Sequence, residues 1–375
     1  MKQLLRGGRW LDVRRGALVK GDLLLDGDRI AATTTDAADA EVIDCAGLVL
    51  IPGLIDLHTH PGIMDDRGEN DGQGLTADRM RRDLATWLRH GVTTVLSLGL
   101  DRDLAFALAV GREPGARLLT AGHGFGVEGG VPPFRMDPPG ALRETDTRVL
   151  RRTLEAAARS GAVATKLWYD DWYGRFPKMA PEIARFVITT AAELKMRSYA
   201  HVYAVDDARS LVEWGVRGFA HMPRDRVADA SLWDLLRERD VAMIPTLTVP
   251  ATNLEHLGDV AIERRREDMR CANENVAGAY RAGVRFGFGT DAGVSHRVVG
   301  ASEHSELELL VAAGVSVADA LRMATLGSAE ILGRDDLGEL APGKYADVVA
   351  LRDDPLSDIT AIRDIVHVWS EGVRS

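Results

Sequence analysis

The chain has 375 residues, of which 46% are hydrophobic and 27% charged, with a formal net charge of -10. This is ordinary globular composition, long enough for one large α/β domain and a smaller second one. The acidic balance argues against nucleic acid as the main partner. No window holds the roughly 18 uninterrupted apolar residues of a membrane span, and the first residues lack a signal-peptide apolar run. Cys45 and Cys271 have no Cys-x-x-Cys companion and read as reduced thiols of a cytoplasmic protein.

Residues 1 to about 50 predict short strands between the turn signals Gly7-Gly8, Gly21-Asp22 and Asp26-Gly27-Asp28. The segment Ile51-Pro52-Gly53-Leu54-Ile55-Asp56-Leu57-His58-Thr59-His60 then reads as a buried strand, set off by Pro52-Gly53 and ended by Pro61-Gly62. Residues two apart on a strand share a face, so His58 and His60 project together from its carboxyl end and can bind one metal ion. A helix is expected from Thr76, a plausible N-cap, to His90, with Gly91 after its end. Further strands are predicted at 93–99, 117–122, 163–168, 197–202, 218–222, 241–248 and 285–290. Helical stretches at 144–160, 181–195, 204–214, 229–239 and 260–282 fall between most of them. Eight βα units in this span predict a (β/α)8 TIM-like barrel, with a doubly wound sheet as the alternative.

After about residue 330 the pattern returns to β, with strands at 346–351 and 365–369. The N- and C-terminal segments are too poor in apolar surface to stand alone, so they are expected to pair as one small β-sandwich domain. The expected partition is 1–52 and 334–375 for that domain and 53–333 for the catalytic barrel. The irregular stretch 122–140 reads as an active-site loop.

Barrel active sites sit at the carboxyl ends of the strands. His58, His60, Lys166, His201, His221 and Asp291 all fall there. Each has a bland alternative: a hydrogen-bonded core histidine, a helix N-cap for Asp291, a snorkelling lysine. Their shared position on one rim favours a joint role.

The pieces Pro52-Gly53-Leu54-Ile55-Asp56-Leu57-His58-Thr59-His60, Lys166, Ala200-His201, Ala220-His221 and Gly289-Thr290-Asp291, with the tail Gly338-Glu339-Leu340-Ala341-Pro342-Gly343-Lys344, resemble the amidohydrolase superfamily. Gly289-Thr290-Asp291-Ala292-Gly293 and Ile244-Pro245-Thr246-Leu247 look most like its imidazolonepropionase-like and prolidase-like branch. The resemblance implies a hydrolase of small amides or cyclic amides, with two divalent metal ions and a bridging hydroxide. His58, His60 and Asp291 would bind one ion and His201 and His221 the other. Lys166, carboxylated on its side-chain nitrogen, would bridge them, and Asp291 would shuttle the proton. Zinc suits the histidine-rich set.

Deaminases of this superfamily typically carry a Glu soon after the strand-five histidine. Here His201 is followed by Val202-Tyr203-Ala204-Val205-Asp206-Asp207, which favours a two-metal hydrolase over a one-metal deaminase. A silent scaffold is disfavoured because every expected ligand stands in the sequence. Trp168, Tyr169, Trp172, Tyr173 and Phe176 form an aromatic loop after Lys166, read as a pocket wall, a packing layer or a subunit contact. His123, Tyr203 and Arg224, just beyond strand ends, are candidate substrate contacts together with Trp168, Tyr169 and Trp172. The remaining histidines, His90, His256, His296, His304 and His367, are expected not to be ligands. The partner is a small molecule; a homo-oligomer is compatible with the sequence.

Overall fold

A computed structural model describes residues 2–64, 75–111, 114–132, 140–251 and 259–375. Its centre is a ring of parallel strands. Leu54–Thr59 pairs with Val92–Ser97, which pairs with Arg117–Thr120. The Val163 amide donates to the Thr120 carbonyl (3.1 Å) and carries the ring on to Ala164–Trp168. That strand pairs with Arg197–His201, then Gly218–Phe219, then Ala242–Met243. The ring closes through residues 285–292. Phe286 bridges Met243, the Leu57 amide reaches the Phe288 carbonyl (2.9 Å), and the Asp291 amide reaches the His58 carbonyl (2.7 Å). Strands Leu54–Thr59 and Val92–Ser97 are buried at every position, as expected of parallel strands covered on both sides. Ile55, Leu57, Leu96, Ala164, Tyr199 and Ile244 pack as one cluster. Side chains from strands so far apart in the ring meet only across its interior, so the barrel is filled.

The helices form where the sequence places their signals. Ala77–Arg89 starts at Thr76, whose side chain accepts the Arg79 amide (3.2 Å). It ends before Gly91, whose φ of +79° favours glycine. Met80, Leu84 and Trp87, spaced by four and three, face the core. The predicted helices at 144–160, 181–195, 204–214, 229–239 and 260–282 appear as Thr147–Arg159, Pro181–Glu193, Val205–Glu213, Ala230–Glu238 and Asp259–Arg281.

Three expected strands need correction. The segment 241–248 is a strand only over Ala242–Met243, and Thr248 begins a short helix. Pro245 has no amide to offer a ladder, Thr246 has φ +51°, and the Leu247 and Thr248 amides donate instead to Glu306 (2.8 Å each). The segment 285–290 makes one isolated bridge rather than a regular ladder. Gly289 explains its closeness to strand one: a Cβ there would lie 2.5 Å from Ile244 Cγ2 and 2.9 Å from His58 Cβ. The expected strand 218–222 is likewise shorter, Gly218–Phe219.

The terminal segments pair as expected. One sheet runs Val373–Arg374, Ile365–Ser370, Val348–Leu351, Val49–Pro52, Arg9–Asp12, Ala17–Lys20. A second runs Arg29–Ile30, Leu23–Asp26, Lys2–Arg6, Glu41–Asp44. Leu5, Leu25, Leu50, Val348 and Trp369 form the core of this mixed β layer. Among the described residues no helix is long and apolar enough to cross a membrane. Cys45 and Cys271 are buried and unpaired. Of the predicted loop 122–140, residues 133–139 lie outside the described residues, as does His256.

Candidate metal centre

The structure brings His58, His60 and Asp291 together at the carboxyl end of the ring. All three are buried, and their ligand-capable atoms lie within 4.8 Å of one another. The two histidines come from one strand end. Asp291 is placed by its own backbone, held at φ +60° with its amide on the His58 carbonyl. Asp291 Oδ1 lies 3.2 Å from His58 Nε2 and 2.9 Å from His60 Nε2.

The protonation of this set follows from its partners. His60 Nδ1 lies 3.2 Å from the Gly99 carbonyl, which can only accept, so that nitrogen carries the proton. In the neutral ring Nε2 therefore turns a lone pair onto Asp291 Oδ1. Burial, then Lys166, pushes His58 down to about 3, so it is neutral as well. Burial works to raise Asp291, but the Arg297 guanidinium outweighs it and holds the carboxyl well below its usual range. The His60 lone pair and an anion that close together repel unless a proton or a cation lies between them. The donor set thus fits a divalent ion, which needs neutral imidazoles and an ionised carboxylate.

Lys166 is completely buried on strand four, with Nζ 3.1 Å from His58 Nε2. Burial lowers its amine to about 7. His201 and His221 stand at the ends of the next two strand segments, their rings 4.4 Å apart, and the His221 ring is 4.8 Å from His58. Thr246 gives its hydroxyl proton to the Pro245 carbonyl (2.7 Å), so it accepts from His221 Nδ1 at 2.6 Å. His201 Nε2 donates to Asp170 Oδ2 at 2.9 Å. These bonds leave Nε2 of His221 and Nδ1 of His201 as the lone-pair nitrogens. Burial, followed by the neighbouring imidazoles, lowers His221 well below the ordinary value. Burial also lowers His201, with Asp170 opposing it.

Three supporting residues were not singled out from the sequence. Asp170 lies two residues past the end of strand four, and its other oxygen accepts the Trp172 amide (2.8 Å). Arg297, six residues after Asp291, donates to Asp291 Oδ2 at 2.6 Å and to its carbonyl at 2.9 Å. Asp56 lies behind the centre, accepting the His58 amide (2.8 Å) and the Thr290 hydroxyl (2.6 Å). Burial and the nearby Glu303 push Asp56 well above the usual carboxylate range. Position relative to a strand end was an available signal for Asp170. Arg297 carried none, since its role depends on a loop conformation.

A cavity of about 290 Å³ opens over the centre. Trp168, Trp172 and Arg224 line it, together with Arg265 and Arg297, which were not singled out from the sequence. Tyr169 instead packs edge-on against Trp214 (5.4 Å between ring centres), and Tyr203 donates to Asp268 Oδ1 (2.8 Å). His123 is half-buried outside this cavity, with Nδ1 unpartnered. His90 and His304 donate to the Thr86 and His90 carbonyls, away from the centre.

Residues 49–374 match the amidohydrolase family. The chain belongs to that family. This amidohydrolase is 25% identical over 368 residues to an ochratoxinase of Aspergillus niger, covering 86% of this chain and 75% of the relative. It superposes on a prolidase complexed with N-methylphosphonate-L-proline with a TM-score of 0.88, at 24% identity and 100% and 99% coverage. A Xaa-Pro dipeptidase with bound methionine gives a TM-score of 0.84, at 20% identity and 100% coverage of both chains. These structural likenesses establish the shared fold. Fold and centre together are those of an enzyme of metal-dependent carbon–nitrogen bond chemistry.

Proposed function

We propose that this amidohydrolase cleaves small amides, N-acyl amino acids, dipeptide-like compounds or cyclic amides, at a two-ion centre. The observation that carries the reading is the buried convergence of His58, His60 and Asp291, in which the His60 lone pair confronts the Asp291 carboxylate until a cation relieves it. His58, His60 and Asp291 would hold one ion. His201 and His221 would hold the second through the nitrogens that Asp170 and Thr246 leave free. Lys166, carboxylated on Nζ, would join the two; its burial beside His58 Nε2 supports this. Zinc matches the donors. When bound, such ions polarise an acyl carbonyl and acidify a water.

The chain's own residues supply the rest. Asp291 takes the proton of the attacking water at Oδ2, the oxygen directed away from His58 and His60. Arg297, 2.6 Å from that oxygen, keeps it ionised until then. Asp291 then returns the proton to the departing nitrogen. Trp168 and Trp172 form an apolar wall that shields the reacting carbonyl from bulk water. The relatives described as prolidase and dipeptidase favour dipeptide-like substrates. As to the domain partition, we assign 53–333 to the catalytic barrel, and 1–52 with 334–375 to the small β domain. The two unpaired cysteines favour a reducing compartment such as the cytoplasm.

A one-ion deaminase is the second reading. It is favoured by one observation: among the described residues only the His58–His60–Asp291 triad converges tightly enough for a metal. The test is a screen of N-acyl amino acids, dipeptides, lactams and aminated heterocycles with zinc-loaded protein, before and after chelation. Chelator-sensitive release of a free carboxylate and amine from the amides is expected. Activity confined to ammonia release from heterocycles would replace the first reading with the second.

A further inference from the structure

One side of the cavity carries three guanidinium groups. Arg224 follows strand six, Arg265 stands on the helix Asp259–Arg281, and Arg297 follows Asp291. Arg297 is neutralised by Asp291. The other two have no carboxylate within 4 Å among the described residues. Arg224 is only 7% exposed, yet among the described residues its guanidinium makes one hydrogen bond, to the Met222 carbonyl at 3.3 Å, and its buried Nε has no acceptor. Its guanidinium lies 5.2 Å from the centre of the Tyr203 ring. Among the described residues the Arg265 guanidinium makes one hydrogen bond, to the Val249 carbonyl at 3.2 Å.

The acids that might have served these arginines are engaged elsewhere. Asp170 accepts from His201 and from the Trp172 amide. Asp268 accepts the hydroxyls of Tyr203 and Tyr173, at 2.8 and 2.6 Å. A buried cation with a spare donor, beside a second cation, is costly unless an anion completes it. The cavity also has an apolar lining of Leu100, Val131, Pro132, Trp168 and Trp172, four of which pack as one cluster. The candidate metal residues line the same cavity.

We propose that Arg224 and Arg265 form an anion subsite for a substrate carboxylate, and that the apolar lining takes an aromatic or aliphatic group. The substrate class is then an amide that carries both a carboxylate and an apolar group. Planar guanidinium forks match a carboxylate, and both residues line a cavity of a small molecule's size. That the bond is an amide rests on the function proposed above; the subsite itself needs no metal.

The test uses hydrocinnamate and hydrocinnamyl alcohol, which share a phenyl group and chain, and neither of which can be hydrolysed. Dissociation constants are measured by calorimetry on zinc-loaded and on chelator-treated protein. Hydrocinnamate should bind at least ~10-fold more tightly than the alcohol in both forms, the size of one charge-assisted hydrogen bond. Arg224→Met and Arg265→Met should each remove most of that preference while leaving alcohol binding unchanged. Arg265 is half-exposed, so its variant carries the test if the buried Arg224 variant fails to fold. Equal affinity for the two probes would overturn the proposal. So would a preference untouched by the substitutions, or one present only with zinc, since the ions would then hold the carboxylate. A preference intact in a protein without amidase activity would refute the proposed reaction and leave the subsite standing.

Discussion

Replacing Asp170 by Asn should loosen one ion without disturbing the other. Asp170 is buried, with Oδ2 2.9 Å from His201 Nε2 and Oδ1 accepting the Trp172 amide at 2.8 Å. An asparagine must keep its oxygen on the Trp172 amide, so its NH2 turns to His201. The imidazole then has to accept at Nε2 and carry its proton on Nδ1, the nitrogen proposed to face the second ion. Partners of this kind typically change metal affinity by about 10–100-fold. Loss of a charge-assisted hydrogen bond also removes roughly 1.5–3 kcal/mol of stability, a drop of several degrees in Tm. The assay is ion content after dialysis, zinc affinity by chelator competition, and Tm. The variant is expected to hold about one ion per chain where the wild type holds about two, with the triad's ion retained. Two ions held at wild-type affinity would refute the tautomer argument. Equal loss of both would show that His201 does not serve a separate ion.

Three further outcomes are expected. Asp291→Asn should keep the fold, because the residue's amide still meets the His58 carbonyl, while kcat falls about 10²–10⁴-fold; near-normal kcat in metal-loaded variant would move the proton shuttle elsewhere. Lys166→Ala should lower bound metal from about two ions to about one, read by elemental analysis, with partial recovery of turnover on adding a short carboxylate; two tightly held ions without the lysine would remove its bridging role. His304 is buried away from the centre, and burial lowers it from 6.5 to about 4. Its neutral form is favoured by the fold, so its contribution is full above 6.5 and is lost as pH falls through 6.5 towards 4. By linkage, wild type should lose about 3 kcal/mol more between pH 7 and pH 4 than His304→Gln, which still offers a donor to the His90 carbonyl; parallel denaturant-unfolding curves would contradict this.

Features set by local chemistry were legible in the sequence. His58 and His60 share a strand face because the period is two, and Thr76 and Gly91 bound their helix because a cap and a left-handed residue are local requirements. The strand ends that carry Lys166, His201 and His221 were found because a buried parallel strand is a continuous apolar run. What failed was decided at a distance. The segment 241–248 is apolar and β-branched, yet Glu306, far along the chain, takes its amides. The aromatic loop read as a pocket wall, a packing layer or a subunit contact; Trp168 and Trp172 line the cavity, while Tyr169 packs against Trp214 and Tyr173 reaches Asp268. Spacing cannot show which way successive residues of an irregular loop face. Arg265 looks like any charged residue on a polar helix until Arg224 and the cavity are placed beside it.

The seam between residues 54–60 and 285–292 also bears on how the chain is made. Asp56 meets Thr290 across 234 positions, and Gln3 reaches the Gly372 carbonyl across 369. During synthesis, His58 and His60 leave the ribosome long before Asp291 exists, and the strand that carries them waits with one edge unpaired. Pairings this remote in sequence close slowly, because chain entropy is lost before contacts repay it. A nascent chain stopped near residue 280 should expose that edge and aggregate, whereas one extended past 292 has the means to close the ring and capture a metal ion. Metal capture is then a late event of biosynthesis, and zinc uptake by stalled chains of graded length would time the closure of the barrel.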